Sequence, residues 1–138
     1  MVVDASALID FLVGREPAVD AVLRSSAGRE HEPLHAPELI DPETLNGLRL
    51  MTLGARLDER RATEAAADLE RVPLVRYPHA PLRPRIWALR HQLTAYDASY
   101  LALAEALDGA TLMTADSGLA ARARGPLGAG RVELVGAR

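Results

Sequence analysis

Apolar and polar residues follow two alternating spacings, one typical of strands buried on both faces and the other of helices. Residues 1–3 are apolar without alternation, and Leu8, Ile9 and Leu12 follow them at helical spacing. This change from unbroken apolar runs to helical spacing recurs along the chain. The predicted strands are residues 1–3, 34–36, 72–75, 110–114 and 131–135, and the predicted helices are residues 5–13, 17–24, 57–71, 85–93, 94–107 and 117–124, with another beginning near residues 42–43.

Helices that alternate with short strands are typical of α/β proteins. We therefore predict a largely parallel sheet flanked by helices, with the third strand at an edge because Pro73 cannot donate a ladder hydrogen bond. Residues 25–32, 76–84 and 125–130 are predicted loops. A length of 138 residues with 49% apolar side chains suits a single domain over residues 1–138.

Composition limits the chemistry. The chain has no Cys, which excludes disulfides and thiolate metal sites and leaves carboxylates, hydroxyls and four His as possible ligands. The oxygen ligands among them favour hard cations. Apolar runs are too short to span a membrane, and Met1 leads into a strand rather than a signal segment, so we expect a cytoplasmic protein. A net charge of -3 is untypical of nucleic-acid binders, although a divalent cation held by acids would offset it.

Four acidic residues share one type of position: Asp4, Glu43, Asp97 and Asp116 each lie at or near a predicted helix start. Each has a structural explanation on its own. Asp4 and Asp116 suit helix N-caps, Glu43 suits the helix dipole, and Thr94 with Asp97 has capping-box spacing. In a parallel sheet, however, the strand-to-helix junctions all face one edge, so the four carboxylates would converge there.

Converging carboxylates repel one another unless they are protonated or bind a cation. Mg²⁺ and Mn²⁺ prefer oxygen ligands, and such ions activate water and stabilise the transition state in phosphodiester hydrolysis. The residues alone therefore predict a metal-dependent phosphodiesterase or nuclease.

Other α/β classes lack their required residues here. All 16 basic residues are Arg, so the Lys of a receiver domain and the Lys of a P-loop are both missing. Ser6 stands where a haloacid-dehalogenase-like phosphatase has its second Asp, and no Gly-x-Gly-x-x-Gly run follows a strand.

Four segments resemble, in order, the acidic motifs of PIN-domain ribonucleases of the VapC toxin type. They are VVDASAL at residues 2–8, APELIDPETLN at 36–46, LTAYDA at 93–98 and LMTAD at 112–116, with YPH at 77–79 and WALRH at 87–91 between them. The resemblance implies that Asp4, Glu43, Asp97 and Asp116 are the catalytic, metal-binding acids. It also implies supporting polar roles for Ser6, Asn46 and Thr114.

The resemblance further implies a PIN-like three-layer sandwich with a five-stranded, mostly parallel sheet. It implies Mg²⁺- or Mn²⁺-dependent endonucleolytic cleavage of RNA, a homodimer, and inhibition by a cognate antitoxin. The last motif departs from the family, in which a basic residue commonly follows the acid, whereas Ser117 and Gly118 follow Asp116 here. The chain therefore has no basic residue directly after Asp116 for a phosphate contact.

Four arginines near a proline-rich loop are candidate RNA contacts, because Arg pairs with phosphate in bidentate fashion: Arg76, Arg83, Arg85 and Arg90. A solvated surface explains them equally well, since exposed Arg is common. Tyr96, Tyr100 and Trp87 are expected in core or dimer packing rather than in base stacking. An alternative function is a catalytically silent PIN-like module for binding or scaffolding, which intact acids at all four positions disfavour.

Overall fold

The chain folds around a sheet in which paired strands run parallel. The computed structural model describes residues 1–27 and 32–136. The strands are β1 (Val2–Val3), β2 (Leu34–Pro37), β3 (Leu74–Tyr77), β4 (Leu112–Thr114) and β5 (Val132–Leu134). Their order is β3-β2-β1-β4-β5, with Val3 beside Met113 and Leu34 beside Leu74. The first strand therefore lies at the centre, and the predicted parallel sheet is confirmed.

Helices connect the strands and cover the sheet. In the described part of the chain they are α1 (Ala5–Leu12), α2 (Glu16–Ala27), α3 (Ile40–Leu53), α4 (Glu59–Asp68), α5 (Arg83–Ala88), α6 (Ala95–Ala106) and α7 (Ser117–Leu127), with 3₁₀ turns at Leu69–Arg71, Ala80–Leu82 and Ala129–Arg131. None of these helices is long and apolar enough to cross a bilayer.

Several element boundaries differ from the predictions. The helix predicted from residues 42–43 begins at Ile40, because Pro42 fits a first turn, where its missing N–H is not needed. The helix predicted at residues 57–71 is shorter, at α4. It starts after Asp58, whose side chain caps it by accepting the Arg61 N–H. The predicted strand 72–75 lies two residues later, at β3, although its edge position is confirmed.

Parts of the predicted loops are helical or extended. Residues 25–27 end α2, whereas residues 28–31 of the predicted loop 25–32 lie outside the described residues. Residues 76–77 belong to β3, and α5 already begins at residue 83. Helix α7 continues through Pro126 to Leu127, and Gly128, at φ +86°, ends it with a backbone conformation that glycine adopts without strain.

The core lies on both faces of the sheet, as the apolar run at residues 1–3 predicted. Val2 and Val3 are fully buried, and α6 packs against β1, β2 and β4 with residues 98–104 buried. Helix α1 packs against α3, and α7 against β4 and β5. Helix α6 thereby spans the centre of the sheet and brings its first turn to the edge where the strands end.

Arg131 holds the opposite end of α6. Its guanidinium donates to the carbonyl oxygens of Ala104 at 2.8 Å, Leu107 at 3.3 Å and Ala110 at 2.8 Å. A cation at a helix C-terminus satisfies carbonyl groups that have no intrahelical partner and complements the helix dipole. The contact ties the chain before β5 to α6.

Candidate active site

The carboxyl edge of the sheet carries the four predicted acids. Asp4 directly follows β1, and Asp116 follows the neighbouring strand β4 after one residue. Asp97 lies in the first turn of α6 and Glu43 in the first turn of α3. Asp97 interacts electrostatically with each of the other three. We call these four residues the acid group, and Asp97 is its centre.

Asp4 is the most enclosed of the four, with 5% of its surface exposed. Its Oδ1 accepts the Ala7 N–H at 2.9 Å and the Ser6 hydroxyl at 2.8 Å, and its Oδ2 accepts the Thr114 hydroxyl at 2.5 Å. Burial raises the pKa of Asp4 to about 6 from an ordinary 3.8, against the opposing effect of these hydrogen bonds, and the charge of Asp97 adds to the rise. The site therefore holds a carboxylate that is costly to ionise.

Ser6 and Thr114 link this carboxylate to the chain that follows β4. The Ser6 hydroxyl accepts the Ala115 N–H at 2.9 Å, and the Thr114 hydroxyl accepts the Asp116 N–H at 3.0 Å. Both hydroxyls also donate to the Asp4 carboxylate. Each hydroxyl therefore links that carboxylate to the backbone of residues 115–116. Two of the three predicted supporting residues thus fix the position of Asp4 relative to Asp116.

Helix capping accounts for part of what two of the acids do. Asp4 caps α1 through Ala7, and Asp116 caps α7 by accepting the N–H groups of Gly118 at 2.7 Å and Leu119 at 3.0 Å. Both cap bonds of Asp116 go to the same carboxylate oxygen, Oδ1. The capping explanation and a role in the acid group are therefore compatible.

Glu43 is positioned by a buried tyrosine. The Tyr100 hydroxyl donates to Glu43 Oε1 at 2.6 Å. Partial burial raises the pKa of Glu43, and the charge of Asp97 adds to the rise, whereas the hydrogen bond from Tyr100 lowers it. Burial and the neighbouring carboxylates raise the pKa of Tyr100. Tyr100 follows Asp97 by three residues and so shares its side of α6, a spacing that indicates a place near the acid group but not the contact with Glu43 itself.

A basic residue missed by the sequence analysis lies beside Asp97 and Asp116. Partial burial and the charge of Asp116 raise the pKa of Asp97, and the charge of Arg122 opposes that rise. A Cβ at Gly118 would lie 3.0 Å from Arg122 Nη1 and 3.1 Å from Asp116 Oδ1. Gly118 therefore leaves room for this guanidinium to approach Asp116. The i, i+4 spacing of Gly118 and Arg122 on α7 is the sequence pattern that could have indicated the position of this Arg.

An open cleft of about 460 Å³ adjoins the acid group. Glu43 and Asn46 form part of its wall, and Tyr96 lies beside them with 65% of its surface exposed. Trp87 is also exposed, at 69%, whereas Tyr100 is buried. Of the expected core or dimer packing, core packing is thus confirmed for Tyr100 and wrong for Tyr96 and Trp87, and dimer packing of those two stays a prediction.

The chain is similar to known proteins over most of its length. The family model of the PIN domain matches residues 1–125. Ribonuclease VapC9 of Mycobacterium tuberculosis is 42% identical over 119 residues, which cover 84% of this chain and 85% of VapC9. Ribonuclease VapC1 of the same organism is 43% identical over 122 residues, which cover 87% and 88%. The chain belongs to the PIN-domain family of VapC ribonucleases.

A solved structure supports the same fold for this VapC-family chain. The crystal structure of PAE2754 from Pyrobaculum aerophilum superposes with a TM-score of 0.62 at 27% identity, and the match covers 96% of this chain and 82% of that one. The predicted PIN-like sandwich with a central five-stranded sheet is confirmed.

The acid group of this VapC-family member has the donor chemistry for a hard cation. Each of its four residues offers carboxylate oxygens. The pKa values of Asp4, Glu43 and Asp97 are all raised, so a divalent cation would relieve the cost of their ionisation. Within residues 1–27 and 32–136, no three Asp, Glu or His side chains are grouped closely enough to enclose a metal ion. The carboxylates are coupled by charge rather than gathered into a formed coordination cage.

The four predicted RNA-contacting arginines of this VapC-family chain differ in their partners. Arg76 forms a two-bond ion pair with Asp41, and Arg85 forms one with Glu105. Glu105 lies eight residues after Asp97 on α6, about 12 Å along the helix axis. All four arginines are exposed, and Arg90 stacks on the Trp87 ring at 4.7 Å. RNA contact by the four stays a prediction.

Proposed function

We propose that the protein is a divalent-metal-dependent endoribonuclease and the toxin of a toxin–antitoxin pair. The observation that carries this proposal is the acid group, in which Asp97 is coupled to three other carboxylates at the carboxyl edge of a parallel sheet. Its similarity to VapC9 and VapC1, both named ribonucleases, supports RNA as the substrate. The proposal extends to a single PIN domain over residues 1–138, a cytoplasmic homodimer, and a cognate antitoxin protein as partner.

Asp4, Glu43, Asp97 and Asp116 would hold Mg²⁺ or Mn²⁺, which when bound lowers the pKa of water and stabilises negative charge on the phosphate. The protein's own residues position these ligands. Ser6 and Thr114 orient the Asp4 carboxylate, and Tyr100 orients that of Glu43. Asn46, one helical turn after Glu43 on α3, offers an amide to the substrate beside it.

The proposed activity is tested by cleavage of RNA with purified wild-type and Asp97→Asn protein. Wild-type protein should produce new 5′ ends on single-stranded RNA in Mg²⁺ or Mn²⁺ and none in EDTA. Asp97→Asn should reduce the rate about a thousandfold, because Asp97 is the centre of the acid group. Mapping new 5′ ends in cells that express either protein would identify the RNA target.

The activity assay has a clear negative result. If wild-type protein binds RNA in both metals but never cleaves it, the protein is a silent binding module. If Asp97→Asn cleaves as fast as wild type, the catalytic centre lies elsewhere.

Arg122 is expected to contact the substrate phosphate in place of the basic residue that the last motif lacks. Replacing it with Gln should lower kcat/KM for RNA cleavage roughly 10- to 100-fold, the value of a hydrogen bond to a charged group. Arg124→Gln is a matched control, since Arg124 is exposed on the same helix and the two variants lose the same charge. Equal rates for the two variants would exclude a specific role for Arg122.

A further inference from the structure

The cleft beside Glu43 has the composition of a nucleobase subsite. Its wall consists of Leu39, Pro42, Glu43, Asn46 and Tyr96, so apolar and aromatic surface lies next to one amide and one carboxylate. Its volume of about 460 Å³ is within the range of small-molecule pockets. An apolar cleft with a few polar groups can hold a flat aromatic ring and discriminate among its hydrogen-bonding edges.

We propose that this cleft binds one base of a single-stranded RNA substrate, the base next to the cleaved phosphate. The inference rests on the proposed function and deepens it by naming a substrate-recognition residue, Tyr96. With 65% of its surface exposed, the Tyr96 side chain presents aromatic surface to solvent, on which a base can stack. The Asn46 amide offers a donor and an acceptor to the edge of that base.

The position of the cleft links base binding to cleavage. Tyr96 immediately precedes Asp97 at the start of α6, and Glu43 belongs both to the cleft wall and to the acid group. A base held against Tyr96 therefore places its own phosphate near the carboxylates. A base elsewhere on the surface would not have this connection.

A second copy of the chain is a less suitable occupant. Docking a protein surface in the cleft would cover the Glu43 carboxylate, which lies in the cleft wall and belongs to the acid group that must stay open to the substrate phosphate. A single base covers the aromatic surface and leaves the carboxylate facing the phosphate side. The composition of the wall thus favours RNA.

The test combines removal of the ring with removal of the base. Single-stranded RNA with a mapped cleavage site is prepared with one abasic position at a time. For wild-type protein, one abasic position beside the cleaved bond should lower kcat/KM roughly 10- to 100-fold. Tyr96→Leu should show a similar loss on intact RNA and no further loss at that abasic position, because the stacking contact is already absent. Tyr96→Phe keeps the ring and should retain most of the rate.

Binding provides a second readout that is independent of cleavage. Fluorescence anisotropy of labelled RNA should show weaker binding to Tyr96→Leu than to wild type in EDTA, and a fully abasic RNA of the same length should bind both proteins equally. Leu53→Ala is the control, since Leu53 is 69% exposed at the other end of α3. It should bind and cleave like wild type.

Three results would overturn the subsite. The first is that Tyr96→Leu binds and cleaves RNA like wild type. The second is that the loss of kcat/KM from Tyr96→Leu multiplies with the loss from the abasic position. The third is that Tyr96→Leu converts a dimer to a monomer in sedimentation. If the wild-type protein cleaves no RNA but Tyr96→Leu still binds RNA more weakly than wild type, the proposed activity is refuted and the subsite stands.

Discussion

Asp4→Asn should abolish metal-dependent RNA cleavage, by at least about a thousandfold, while the protein stays folded. A carboxamide oxygen is neutral and a weaker ligand for a hard cation than a carboxylate. The fold should persist because Asn has nearly the same size, and its Oδ1 can still accept the Ala7 N–H that caps α1. Cleavage of end-labelled RNA in Mg²⁺ measures the activity. Circular dichroism and thermal unfolding show whether the protein is folded.

The control for Asp4→Asn is Asp20→Asn, which removes the same charge from an exposed position on α2. It should cleave RNA at the wild-type rate. An Asp4→Asn protein that fails to fold would assign Asp4 a structural role, and a folded one that cleaves normally would remove it from the acid group.

The metal-free protein should become less stable, relative to Asp4→Asn, as the pH rises from 4.5 to 7. The pKa of Asp4 is raised from 3.8 to about 6, so the folded state binds its proton more tightly than the unfolded state does. The stabilisation is fully present below pH 3.8 and is lost as the pH rises through the folded pKa. From these two values the difference in free energy of unfolding between the proteins should change by roughly 2 kcal/mol.

The comparison with Asp4→Asn isolates this carboxyl. Glu43 and Asp97, whose pKa values are also raised, act in the same direction in both proteins, and His35, whose pKa burial lowers, acts in the opposite direction in both. Urea unfolding in EDTA at each pH gives the free energies. A constant difference between the two proteins would show that Asp4 titrates normally in the folded state.

Divalent cation should reverse the effect at pH 7. At a concentration 100-fold above its dissociation constant, Mg²⁺ or Mn²⁺ stabilises the folded state by about 2.7 kcal/mol if the unfolded chain does not bind it. Asp4→Asn should gain much less, since one ligand is missing. Equal stabilisation of both proteins would place the bound cation away from Asp4.

Short-range sequence patterns predicted the elements that position the acid group. The apolar run at residues 1–3 required a strand covered on both faces, and Asp4 follows it directly, so strand and acid were predictable together. Convergence of the acids followed from a parallel sheet. Boundaries were less predictable where proline sits inside a helix turn, as at Pro42 and Pro126, since proline can either end or begin a helix.

By itself the sequence determined the α/β class, the parallel sheet and the edge that carries Asp4, Glu43, Asp97 and Asp116, because those depend on local periodicity and strand direction. Only the tertiary structure decided which side chains reach them. The Ser6 contact with Ala115 and the Tyr100 contact with Glu43 join residues 109 and 57 positions apart. The exposure of Tyr96 and the approach of Arg122 to Asp97 likewise depend on how α6 and α7 pack on the sheet. Packing of whole helices sets such contacts, whereas helical spacing in the sequence shows only which residues share one side of a helix.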